Sequence, residues 1–80
     1  MSALLLVGFA SLMMPPAEYD HPFHGKVVVR YSETHCLPNV ACAGSRNGVC
    51  LIVISQRGIA AYGLEQLMKH EVAHCNGWHH

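Results

Sequence analysis

The last eleven residues, HEVAHCNGWHH from His70 to His80, place two histidines four positions apart. On an α-helix, residues at i and i+4 project from one side, one above the other. Two imidazoles so placed can share one metal ion, and the intervening Glu71 can reach a water on that ion. A helix supplies only two such ligands, so a third has to come from beyond its end. Gly77 stands where a helix commonly stops in a left-handed cap, and a turn there would bring His80 back toward the pair. His79 is the alternative third ligand.

The segment Ile59 to Asn76, IAAYGLEQLMKHEVAHCN, reads as that helix, with Gly63 near its start. At about 100° per residue, Leu64, Met68, Val72 and Cys75 form one stripe, joined by Ala61, and this is the expected core face. His70 and His74 share a different side that need not be buried, with Glu71 between the two. Upstream, the β-branched run KVVVRY, Lys26 to Tyr31, reads as a strand. VCLIVIS, Val49 to Ser55, reads as a second one, apolar on both faces as a covered strand should be. The seventeen residues between them, Ser32 to Gly48, contain Pro38, two glycines, Asn-Gly and two cysteines, and read as a loop long enough to need pinning or a role. QRG, residues 56–58, is a turn signal. EYDHPFHG, residues 18–25, is linker-like, and its His21 and His24 are more simply surface histidines than a ligand pair. The expected fold class is α+β: a small two- or three-stranded sheet backed by the C-terminal helix and preceded by an apolar N-terminal segment.

Eighty residues make one small domain. Hydrophobic residues are 51% of the chain, but many lie in the first fourteen positions. The uncharged run Ala3 to Met14 is too short to span a bilayer comfortably, yet fits the apolar region of a secretory signal. Against that, no Lys or Arg precedes it and no clean small-x-small cleavage site follows. Residues 1–17 are therefore expected to be a signal peptide or membrane anchor, with a buried N-terminal helix as the alternative, and residues 18–80 the folded domain. A domain this small usually needs disulfides or a metal to be stable. Cys36, Cys42, Cys50 and Cys75 allow three pairings and contain no C-x-x-C. In an exported chain two disulfides are the better reading. Cys75 falls on the core side of the helix and Cys50 begins the strand expected to pack there, which favours Cys50–Cys75 with Cys36–Cys42; four reduced, buried cysteines are the alternative. The expected location is secreted or periplasmic, with membrane association through the N-terminal segment as a variant. Net charge is zero, 12% of residues are charged and there is no basic run, so no nucleic-acid partner is expected.

The full pattern HExxHxxGxxH, met at His70, Glu71, His74, Gly77 and His80, resembles the zinc-binding signature of the metzincin metallopeptidases. HEVAHCNGW is also similar to the zinc helix of small metallopeptidase-like proteins of bacteria and their phages. The resemblance implies Zn2+ held by His70, His74 and His80, Glu71 as general base, and Gly77 as the turn. It implies hydrolysis of peptide bonds in a peptide or protein substrate. It also implies a substrate-pairing edge on the strand before the helix, Val49 to Ser55, or else on KVVVRY. Metzincins carry a methionine turn after the third histidine, whereas all four methionines here precede the motif. The chain therefore reads as a minimal peptidase, a fragment of a longer one, or a non-catalytic zinc-stabilised binding or structural protein. Trp78 is a candidate wall of the site or partial core, and Tyr31 and Tyr62 are candidate oxyanion donors.

Overall fold

The computed structural model describes residues 12–80. Most of the expected leader, residues 1–11, lies outside the described residues. The domain is α+β. Three strands, β1 (Lys26–Tyr31), β2 (Ala41–Arg46) and β3 (Val49–Ile54), precede two helices, α1 (Gln56–Tyr62) and α2 (Leu64–Cys75). The sheet order is β1-β3-β2, with β1 parallel and β2 antiparallel to β3.

β2 corrects the reading of Ser32–Gly48 as a loop throughout. Its sequence, ACAGSR, lacks the bulky β-branched residues that mark a strand. The signal that betrays it is Asn47-Gly48, which takes positive φ at both positions (52° and 76°) and joins Arg46 directly to Val49. Two successive positive φ values suit the right-handed twist of a two-residue hairpin, and Asn-Gly adopts them at least cost. The small side chains have a packing reason. Ala41 and Ala43 pair with Ile54 and Ile52 on the face toward α2, and Ser45 Oγ on that face donates to the Cys75 carbonyl at 3.2 Å. Large residues there would hold the helix away.

The true loop, residues 32–40, carries the chain from β1 at one edge to β2 at the other. It is tied down at the end of β3 by Ser32 N–H to Ile54 O, Ser55 N–H to Val40 O, and Ser55 Oγ–H to Val40 O. Ser55 also caps α1, its Oγ accepting from Gly58 N–H at 3.0 Å, so the expected QRG turn is the first turn of a helix. The single long helix of the sequence reading is likewise two, because the chain breaks at Gly63 (φ 85°).

The core is Cys50, Ile52, Ile54, Ala41, Leu67 and Cys75, all buried between the sheet and α2. The paired cysteines are Cys36–Cys42 and Cys50–Cys75, as expected, and the second bolts the end of α2 to the central strand. The expected core stripe is displaced by about a quarter turn around the helix. Leu67 is fully buried, Leu64 is 46% exposed, and Met68 and Val72 are only partly covered. Of the two histidines on the side that need not be buried, His70 is buried and His74 half-buried, and Glu71, between the two sides, is buried as well. Leu67 and Ala73 lie outside the expected stripe and widen the apolar side of the helix, so periodicity alone does not fix its rotation. β3 is paired on both sides and offers no edge, which corrects the expected substrate-pairing strand; the edges of the sheet are β1 and β2. Two disulfides fit an extracellular or otherwise oxidising location. Among the described residues, no helix is long and apolar enough to cross a membrane.

Candidate metal centre

α2 carries His70 and His74 on the side that faces a cleft. The chain then leaves the helix through a left-handed turn. Gly77 has φ 107°, Gly77 N–H donates to His74 O, and Trp78 N–H reaches back to Ala73 O, both at 3.1 Å. This pair of bonds is the Schellman cap, and it satisfies two carbonyls that the helix end would otherwise leave open. The reversal returns His80 over the helix. His79 is exposed and stands outside the cluster.

His70, His74 and His80 are brought together with every chosen ligand atom within 4.8 Å of the others. Their Nε2 atoms form a near-equilateral triangle: 3.2 Å from His70 to His74, 3.3 Å from His70 to His80, and 3.1 Å from His74 to His80. Hydrogen bonding does not explain the side between His70 and His74. His70 Nδ1–H donates to the Met13 carbonyl at 2.6 Å and His74 Nδ1–H donates to the Trp78 carbonyl at 2.7 Å. A carbonyl only accepts, so both protons sit on Nδ1, and in the neutral rings both Nε2 atoms present lone pairs to the same point. Three imidazole nitrogens on a tetrahedral ion with bonds of about 2.0–2.1 Å lie about 3.3–3.4 Å apart, close to the observed triangle. Three histidines thus stand in an arrangement that can hold a metal ion.

Around the triangle, Trp78 serves both readings made of it. It is 6% exposed, its ring stacks on His74 (centroids 4.9 Å apart, planes at 11°), and it meets His70 edge-on at 4.9 Å. Burial pushes the His70 imidazole below its ordinary value, against the opposing pull of the Met13 hydrogen bond. That favours the neutral ring, which is the form that binds metal.

The histidines open onto a cleft of about 710 Å³, whose other walls come from Pro38–Ala43 and from Leu12, Met13, Tyr62 and Leu67. Glu71 lines the same cleft. It is 4% exposed, its Oε1 is buried without a hydrogen-bond partner, and desolvation raises its carboxyl from 4.5 to about 7. A buried carboxyl left unsatisfied costs the fold stability, and this one stands beside three convergent imidazoles. Tyr62 reaches the cleft, whereas Tyr31 is 64% exposed and does not line it. His21 and His24 have rings 5.7 Å apart and belong to no cluster of three potential ligands among the described residues.

Three groups at the centre have no counterpart in the sequence reading: the carbonyls of Met13 and Trp78, and the Asn76 side chain, which donates to the carbonyls of Tyr19 (3.0 Å) and His21 (2.7 Å). Backbone acceptors leave no mark in side-chain identity. Asn76 does follow the last turn of a helix, but nothing in the sequence says which segment it holds. No protein-family model matches the chain, and neither a curated protein nor a solved structure does.

Proposed function

We propose that this protein is a zinc-dependent peptidase, with His70, His74 and His80 as the metal ligands and Glu71 as the general base. The observation that carries the reading is the triangle of Nε2 atoms opening on a cleft that also holds a buried, unpartnered carboxyl. Zinc is the metal of choice because a three-imidazole set with one open position suits its tetrahedral preference. When bound, zinc supplies a Lewis acid that polarises a carbonyl and makes water acidic enough to ionise near pH 7.

The chain's own residues do the rest. Glu71, poised near pH 7, takes a proton from the attacking water and returns it to the departing amine, and matching its affinity to the working pH favours both transfers. The walls exclude bulk water from part of the cleft, which strengthens charge interactions inside it. β2 is an edge strand, and its residues Ala41–Ala43 line the cleft, so an extended peptide can lie along it and pair through its backbone. The substrate is therefore a peptide or protein segment in extended form. Export to a secreted or periplasmic location, or tethering at a membrane, accords with the two disulfides and with the apolar run at residues 3–14.

The test compares wild-type protein with Glu71→Gln, measuring zinc per chain and cleavage of an unstructured protein substrate. The expected result is one zinc in each and at least a hundredfold loss of turnover in the variant, in the range that general acid–base catalysis supplies (about 10²–10⁴). A zinc-loaded wild type that cleaves nothing, or a variant that cleaves as well as wild type, would leave a metal-stabilised protein without this catalytic residue.

A further inference from the structure

The two helical histidines are held by acceptors of different origin. His74 gives its Nδ1 proton to Trp78, four residues on, within the turn that ends its own helix. His70 lies in mid-helix and gives its proton to Met13, 57 residues away in sequence. Nothing in the helix itself secures that second contact. It depends on the segment before β1 staying where it is.

That segment is fastened along its length. Pro15 is buried, and Pro15-Pro16 leads into a single 3-10 turn at Ala17–Tyr19. Beyond the turn, the Asn76 amide donates to two of its carbonyls, Tyr19 O and His21 O, and Lys69 Nζ pairs with Asp20 at 3.2 Å. The ion pair is partly exposed and contributes little. The paired amide bonds are the firmer tie, since one planar group satisfies two carbonyls at once.

We propose that residues 13–21 are a working part of the metal centre. In this arrangement the Met13 carbonyl fixes His70 in the tautomer that offers Nε2 to the ion, and Asn76 is the positioning residue that keeps Met13 there. The inference rests on the three histidines being a metal site. It extends the functional domain to Met13, upstream of the boundary at residue 18 that the sequence suggests. Without the Met13 acceptor, a neutral His70 is free to carry its proton on Nε2, where it blocks coordination. Losing such an orienting partner typically weakens metal binding by about 10–100-fold.

The experiment uses the full chain, Zn2+ under competition from a chromophoric chelator, and two variants. Asn76→Ala releases the segment from the helix side. Pro15→Gly with Pro16→Gly loosens it from its own side, by freeing two fixed φ angles, and leaves α2 untouched. Ring 1H–15N correlations of the metal-free protein report the tautomers of His70 and His74 separately. The expected result is a drop in Zn2+ affinity of about tenfold or more for Asn76→Ala, and a smaller drop for the proline pair. In both variants His70 loses its Nδ1–H signature while His74 keeps its own. Damage confined to the helix end would instead disturb His74, which is nearer to Asn76, and would spare the proline variant. Wild-type affinity in both variants, or equal disturbance of the two rings, overturns the proposal while leaving the metal site standing. A wild-type chain that binds no Zn2+ overturns both.

Discussion

The protein has two groups of histidines close in space, and only one is built as a site. His21 and His24 stand on an exposed segment, 5.7 Å apart at their ring centres, and the Nδ1 of His21 meets only the carbonyl of its neighbour Pro22. His70, His74 and His80 are pinned by a helix, a capped turn and two carbonyl acceptors, with Trp78 packed against all three rings. The residue type is the same in both places. What differs is whether the surroundings have already fixed the direction of the lone pairs. In the first group that ordering remains to be done when a ligand arrives; in the second, folding has done it for His70 and His74, and a ligand has correspondingly less to order.

The sharpest way to break this contrast is to remove one ring from each group. His70→Ala should lower Zn2+ affinity by well over a hundredfold, because deleting a ligand exceeds the about 10–100-fold effect of deleting an orienting partner. His21→Ala with His24→Ala should leave affinity within about twofold, as expected of surface positions away from the site. Equilibrium dialysis of the untagged chain decides it. Equal losses in the two variants would mean that the exposed pair contributes to the ion after all.

The contrast also explains what could be read in advance. The triad was legible because its spacing is local: His70 and His74 sit one turn apart, and Gly77 permits the return of His80. β1 and β3 were legible as runs of Val, Ile and Leu. β2 was not, since Ala41 and Ala43 are small so that the helix can approach, and that need arises only once the fold exists. The burial of His70 was hidden for a similar reason. A histidine sits inside at acceptable cost when a carbonyl takes its proton, and the carbonyl at Met13 is brought there by tertiary structure alone. The rotation of α2 follows from the same contacts, with Cys75 bolted to Cys50 and the Asp20–Pro22 segment beside Met68 and Val72.

A second prediction concerns Glu71, the group for which burial has no visible compensation. Its carboxyl is raised from 4.5 to about 7 by desolvation, so the folded protein holds a proton that the unfolded chain has already released. Between those values the stability of metal-free protein falls as pH rises, and above pH 7 the accumulated cost is about 3 kcal/mol. His70 works in the opposite sense. Its folded value is lowered, so the unfolded chain binds the proton more readily and stability rises as pH climbs toward 6.5. Glu71→Gln should remove the falling component and leave the rising one. Urea denaturation of chelator-treated protein at pH 5 and pH 8 should show the variant gaining on wild type by about 2.5 kcal/mol between the two, the rest of the cost having accumulated below pH 5. Parallel profiles would mean that water reaches the carboxyl and that it is no more strained than the exposed acids.

The smallest effect is expected at Gly77, and it separates the turn from the ligands it delivers. Its φ of 107° is a conformation that side chains adopt reluctantly, whereas a Cβ added there would meet nothing nearer than Tyr19 Cε1 at 3.8 Å, an ordinary contact. The penalty for Gly77→Ala is thus backbone strain without a clash, about 1–2 kcal/mol in thermal or urea unfolding. Gly77→Asn should recover part of it, because Asn tolerates positive φ better than Ala does. If the turn does no more than close the helix, both variants will bind Zn2+ like wild type once folded. If it also sets the height of His80 above the helical pair, the alanine variant will bind several-fold more weakly than its stability loss alone would produce, and the asparagine variant will fall between.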